Sequence, residues 1–224
     1  RADGGAILAA ARAVAEKYRM VRKGWNGFNI LHHAASRVGG LDLGFVPGAA
    51  GQDVAGILEN AESGAIRFVW LLGADEIDMA PLADAFTVYQ GHHGDVGAAA
   101  ADVVLPGAAY TEKNATYVNL EGRVQRAYRA VYPPGDARED WTILRAFSQS
   151  VGRTLPYDTL DSLRARMVEI APTFGAVDEI ATATWDEFGA PGEISGEAFT
   201  GSMADFYLTD AVARASDTMA KCSS

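Results

Sequence analysis

The chain has 224 residues, 49% of them hydrophobic and 21% charged, enough for one or two domains with a sizeable core. Its formal charge of −10 argues against phosphate backbones and anionic lipid as partners, so neither nucleic acid nor a membrane surface is expected. No run of about eighteen apolar residues is present, so no direct membrane insertion is expected. A lone cysteine, Cys222, rules out an intrachain disulfide and fits a reducing compartment. The start, Arg1-Ala2-Asp3-Gly4, is neither a signal peptide nor an initiator and reads as a cut end.

Asp3 is placed to cap an alanine-rich helix running through Ile7 to about Tyr18 and stopping near Gly24. A glycine- and asparagine-rich turn from Gly24 to Asn29 leads to a second expected helix, Ile30 to Val38, ended by Gly39-Gly40. Leu43 to Pro47 reads as a short buried strand, and Gln52 to Ala61 as the helix after it. Arg67 to Leu72 is the clearest strand, an apolar run between Gly64 and Gly73. Its carboxyl end carries Gly73-Ala74-Asp75-Glu76, where open α/β sheets place ligand-contacting loops. A helix around Pro81 to Ala85 precedes the strand Phe86 to Tyr89, and a crossover through Ala98 to Ala101 reaches Val103 to Leu105. Strands alternating with short helices predict α/β architecture, a Rossmann-like parallel sheet flanked by helices.

The stretch Asp102 to Gln125 organises the rest. It holds a strand halted at Pro106, a polar run Tyr110 to Asn114, and a second β-prone run Thr116 to Asn119 that ends at Glu121-Gly122-Arg123. Past Gln125 the character shifts. Pro133-Pro134-Gly135 marks a loop, and a helix beginning at Asp136 to Asp140 carries Trp141, Leu144 and Phe147. Asp158 to Ile170 predicts a helix with a one-sided apolar stripe. From Met167 to Ala213 there is no Lys or Arg but nine acids, interleaved with Trp185, Phe188, Phe199 and Phe206-Tyr207. Two readings fit this stretch, a solvated acidic extension and an arm lying across a basic partner surface. Two parts are therefore expected: an α/β domain over 1–153 and a helical, acidic and extended segment over 154–224.

Candidate chemistry is sparse. His32-His33 fall on the second expected helix, where adjacent side chains diverge and chelate poorly, so a structural or surface role is favoured. His92-His93 follow the end of a strand between two glycines and face the crevice of a doubly wound sheet. Glu112, Lys113, Glu121 and Arg123 are candidates to converge there, as an acid–base site or with a metal held by His92, His93 and Asp95. Two histidines and one acid make a weak metal pattern, so a packing or hydrogen-bonding loop is preferred, with no catalytic residue and no metal assigned. Gly48-Ala49-Ala50-Gly51 lacks the spacing of a phosphate-cradling loop. Iron–sulfur clusters need several cysteines, so this chain alone is expected to hold none.

Glu112-Lys113-x-x-Thr116 followed by Asn119-x-Glu121-Gly122-Arg123-x-Gln125 resembles a signature of the molybdopterin oxidoreductase superfamily. The fuller wording, Tyr89-Gln90-Gly91-His92-His93-Gly94-Asp95-Val96-Gly97 running into Ala101 to Asn119, resembles one branch of it. That branch is the large iron–sulfur subunit, often called the G subunit, of the proton-pumping NADH:quinone oxidoreductase, respiratory complex I. Similarity covers nearly the whole chain, which corresponds to the C-terminal part. The resemblance implies a molybdopterin oxidoreductase-like fold in a branch thought to have lost the molybdenum cofactor. In it His92, His93, Glu112 and Arg123 would be vestigial cofactor-loop positions. It implies [2Fe-2S] and [4Fe-4S] clusters elsewhere in the full-length subunit, electron transfer from NADH through those clusters to quinone, and a scaffolding rather than catalytic role here. The implied partners are other peripheral-arm subunits, the flavin subunit among them. The implied place is the cytoplasmic face of a bacterial inner membrane, or the matrix side in a mitochondrion. Against this stands the cofactor-binding half of a molybdopterin enzyme such as a formate dehydrogenase, which the lack of an obvious metal-ligating residue disfavours. A free-standing module for a nucleotide-like ligand at Gly73–Glu76 and Gly91–Gly94 is a third reading.

Overall fold

The computed structural model describes residues 3–49, 51–180, 184–201, 203 and 205–223. Arg1-Ala2 of the expected cut end and Ala50 of the glycine loop lie outside them. Alanine-rich Gly4–Lys17 forms helix α1. Asp3 sits at its N-cap position, but its carboxylate accepts from the Ser195 backbone N–H instead of capping the helix. The turn expected after Gly24 is a small hairpin, β1 (Val21–Arg22) against β2 (Trp25–Asn26).

Two expectations fail next. Of the helix placed at Ile30 to Val38, residues 30–36 are irregular chain, and helix α2 (Arg37–Asp42) starts only at Arg37 and runs through Gly39-Gly40. Gly39 is buried inside this helix against Val118 and Phe174, so it does not end a helix. Leu43 to Pro47 is not a strand, because its backbone donors are spent locally: Leu43 to Gly39, Gly44 to Leu41, Phe45 to Gly40 and Val46 to Gly44. Phe45 is accordingly exposed. His32 and His33 therefore lie in exposed irregular chain.

Helix α3 (Val54–Glu62) begins where Asp53 accepts from the Gly56 N–H at 2.9 Å. Three strands then build a parallel sheet in sequential order: β3 (Phe68–Leu72), β4 (Phe86–Gly91) and β5 (Val103–Pro106). The connection expected as a helix near Pro81 is a single 3₁₀ turn, Ala80–Leu82. Between β4 and β5 lies the short helix α4 (Val96–Ala100), capped by Asp95. Val69, Leu71 and Tyr89 pack on Ala61, Leu82 and Ala85 on one face of the sheet.

Beyond it, β6 (Ala115–Val118) and β7 (Val124–Ala127) form an antiparallel hairpin, Tyr117 opposite Gln125. Gly122, at φ +81°, makes the turn between them. Sequence reading ended at Arg123 and missed β7. Helix α5 (Asp140–Ser150) starts later than expected and covers the other face of the parallel sheet, Phe147 stacking on Phe68 at 6.1 Å and meeting Trp70 edge-on at 4.6 Å. Helix α6 (Leu160–Ile170), opened by a Thr159–Ser162 capping box, leads to Phe174, which joins Val118 and Val124 in a second core.

The acidic segment is not a free arm over its aromatic part. Trp185 and Phe188 close on Phe28 at 5.4 Å each, Trp185 Nε1 donates to Glu16, and Ala190 N–H donates to Gly5 O. Two of the aromatics expected to meet a partner are thus used within the chain. The segment ends in two short helices, α7 (Ala211–Arg214) and α8 (Asp217–Ser223).

Gly189 makes this docking possible. At φ +79°, a Cβ there would lie 2.3 Å from Ala9 N and 2.7 Å from Gly5 O, both backbone atoms that cannot step aside. Gly189→Ala is expected to lift residues 184–195 from α1. Limited proteolysis checks this: cleavage in that segment speeds up while cleavage within 67–106 does not, and equal rates in parent and variant would contradict the packing.

Candidate functional site

Parallel strands bring their carboxyl ends to one edge of a sheet, and the loops leaving β3 and β4 meet there. Asp75 follows β3 and is 3% exposed. One of its oxygens accepts from Gly97 N–H at 3.2 Å, fixing the start of α4. Asp95 follows β4 and accepts from Val96 N–H. Glu76 completes a group of three carboxylates.

A cation from far along the chain enters this group. Arg214, at the end of α7, reaches Asp75 at 3.1 Å and Glu76 at 3.2 Å through Nη2, and binds Asp95 through Nε. Asp210 orients it by capping α7, accepting from Val212 and Ala213 N–H at 2.9 Å each. The bond from Arg214, with that from Val96, holds the Asp95 carboxyl below the usual carboxylate range. Burial opposes the Arg214 charge, but the bonds to Asp95 and Glu76 outweigh it and raise its pKa. Beside them Tyr89 donates to His93 O at 2.9 Å, its pKa raised by burial and by Asp75 and Asp95.

The neighbouring loop holds the histidines. His92 and His93 bring their Nδ1 atoms within 2.7 Å, so one ring donates and the other accepts. His92 keeps part of its ring in solvent, yet protein packed around it, His93 and Lys113 lower its pKa. Lys113 is bonded to Asp140, which also accepts from the buried Gln90 Nε2 at 3.0 Å. Glu112 turns inward to accept from Ala109 N–H at 2.9 Å. Gly107 lets Asp140 approach, since a Cβ there would meet its Oδ1 at 2.8 Å.

His92, Lys113 and Asp140 are thus electrostatic neighbours, with Glu112 among the charges acting on His92. Arg123 and Glu121 have other partners. Arg123 donates to Asp178 O and lies 3.7 Å from Glu121, both at the β6–β7 turn, where it ties the hairpin to the chain after Phe174. Cys222 is exposed in α8, and no group of three or more His, Cys, Asp or Glu among the described residues is arranged to hold a metal.

A molybdopterin cofactor carries phosphate, and at this edge phosphate would meet Asp75, Glu76 and Asp95 against one arginine already bonded to all three. The residues present do not fit such a group here. The three carboxylates would equally repel the phosphates of a nucleotide. Sequence reading found Asp75, Glu76 and Asp95 but missed Arg214. The available signal was its position as the first basic residue after Arg166.

Comparison with known proteins follows the same outline. The family model described as molybdopterin oxidoreductase matches residues 1–150, and that of the C-terminal region of the NADH-ubiquinone oxidoreductase G subunit matches 169–222. The chain is 44% identical to the NADH-ubiquinone oxidoreductase 75 kDa subunit of Reclinomonas americana, over 100% of this chain and 32% of the relative. It is 49% identical to the 78 kDa subunit of Neurospora crassa, over 89% of this chain and 27% of the relative. It is 40% identical to the NADH-quinone oxidoreductase G subunit of Rickettsia bellii, over 99% of this chain and 31% of the relative. The chain therefore spans about a third of the length of these relatives.

Replacing Arg214 by Gln leaves buried Asp75 without its counter-charge, a loss of about 2–4 kcal/mol by analogy with broken buried ion pairs. Because the folded pKa of Asp95 is lowered, the stabilisation is complete above the ordinary carboxylate range and disappears as pH falls through the lowered value. Urea denaturation across that pH range checks both. The parent loses stability on acidification, and Arg214→Gln starts lower and falls less.

Proposed function

This chain belongs to the molybdopterin oxidoreductase family, in the branch of the NADH-quinone oxidoreductase G subunits, and from that premise we propose that it serves as a scaffold in an enzyme carrying electrons from NADH to quinone. In this reading the clusters that carry the electrons, [2Fe-2S] and [4Fe-4S], belong to other parts of the full-length subunit. One cysteine cannot supply the thiolates such clusters take. The α/β body buttresses the cluster-bearing part and docks neighbouring peripheral-arm subunits, the flavin subunit included. No helix among the described residues is long and apolar enough to cross a membrane, which suits a peripheral position. We place that position on the cytoplasmic face of a bacterial inner membrane, or its matrix equivalent.

The observation that carries the reading is Arg214 among Asp75, Glu76 and Asp95. The edge where this sheet would present a ligand is filled by the chain's own side chain, and the acids there are spent on holding the C-terminal helices. A catalytic carboxylate needs access to a substrate; Asp75 has almost none.

The assembled enzyme tests this. Arg214→Gln is expected to lower the yield of assembled complex while NADH:quinone turnover per assembled complex stays within about twofold of the parent. A normal yield with turnover per complex reduced by about tenfold or more would give this edge a part in the chemistry and contradict the scaffold reading.

A further inference from the structure

The end of α1 and the β1–β2 hairpin carry Lys17, Arg19, Arg22 and Lys23, a run of exposed cations in a chain whose net charge is −10. No Asp or Glu occurs between Glu16 and Asp42. Two nearby acids turn the other way. Glu16 lies 3.6 Å from Arg12, and Glu187, next to the Phe188 ring that packs on Phe28, lies 3.8 Å from the same arginine. Among the described residues no carboxylate forms an ion pair with Lys17, Arg19, Arg22 or Lys23. The chain's own acidic segment thus packs beside this hairpin and leaves its cations unpaired.

Arg19 sits where the backbone resists it. It follows the last turn of α1 at φ +53°, its N–H donating to Glu16 O while Met20 N–H donates to Ala15 O. That helix ending suits glycine, because a Cβ is crowded in the left-handed region. Folding alone favours glycine here, so the arginine side chain answers to something else. Rings hold two of the other cations in place. Arg22 lies over Trp25, its partner across the hairpin, at 4.7 Å, and Lys17 over Tyr18 at 5.7 Å. Both rings are themselves exposed. Arginine, tyrosine and tryptophan presented together on a surface are the residues that concentrate at protein interfaces.

Resting on the reading of this chain as part of a multisubunit enzyme, we propose that the patch docks an acidic surface, Asp and Glu side chains, of a neighbouring subunit. Lys17, Arg19, Arg22 and Lys23 supply the complementary charge, and Tyr18 and Trp25 the apolar contact. Exposed charges speed and orient the meeting of separate molecules, which tethered parts of one chain do not need, so the occupant is another chain. A lipid surface fits less well, since the anionic bilayer that attracts these cations repels a chain of net charge −10.

Amine acetylation read by mass spectrometry, on the free full-length subunit and on the assembled complex, tests this. Lys17 and Lys23 are expected to react in the free subunit and to lose most of that labelling in the complex. A zero-length carbodiimide is expected to join one of them to an Asp or Glu of another subunit. Arg19→Gly is expected to keep or raise the thermal midpoint of the free subunit, while its complex releases the subunit at lower salt than the parent. Lys23→Glu, in the exposed turn of the hairpin, is expected to weaken the complex in the same way without moving the midpoint. A lowered midpoint in Arg19→Gly, or unchanged salt release in both variants, would overturn the proposal. So would labelling already lost in the free subunit, which assigns the patch to the rest of the same chain. Protection by phosphatidylglycerol vesicles but not by assembly would overturn it in favour of lipid. Equal labelling of a subunit present in the complex overturns the docking patch alone, whereas a complex that lacks the subunit overturns the scaffold reading as well.

Discussion

One guanidinium among three carboxylates fixes how the two ends of this fold meet. Asp75, Glu76 and Asp95 stand together because parallel strands deliver their following loops to a single edge. Left alone, three carboxylates at that spacing repel, and burying Asp75 adds a desolvation cost. Arg214 offsets both, and in doing so ties α7 to loops more than a hundred residues earlier. Asp75 and Asp95 also hold the first N–H groups of α4, so the crossover between β4 and β5 shares the same support.

The parallel sheet was legible in the sequence because its strands are short apolar runs closed by glycine or proline, the central one, β4, buried on both faces. The hairpin was half legible: Gly122 announced the turn, but Val124-Gln125-Arg126-Ala127 shows a polar outer side and no apolar run. Leu43 to Pro47 misled for the opposite reason. Its residues are apolar, but local turns take up its backbone donors before any strand can. Gly39-Gly40 misled because glycine often ends a helix, whereas here both lie within one, Gly39 buried against Val118.

The candidate site was legible in parts and not as a whole. The loops after β3 and β4 follow from topology, and of the residues expected to converge there, Lys113 and Glu112 are among the charges acting on His92. Arg123 does not join them; the hairpin carries it to Asp178. Arg214 stood out only as the first basic residue after Arg166; its partners were not legible, because a contact 119 residues from Asp95 leaves no local pattern. The sheet edge of the family fold is thus turned to internal bonding, an acidic crevice closed by the chain itself.

A double-mutant cycle on Arg214→Gln and Asp75→Asn, read by urea denaturation, tests the closure most directly. If the two side chains depend on each other as the geometry states, the coupling energy is about 1–3 kcal/mol, and the double variant is more stable than the sum of the single losses implies. Additive losses, with no coupling, would mean that Arg214 does not close this edge.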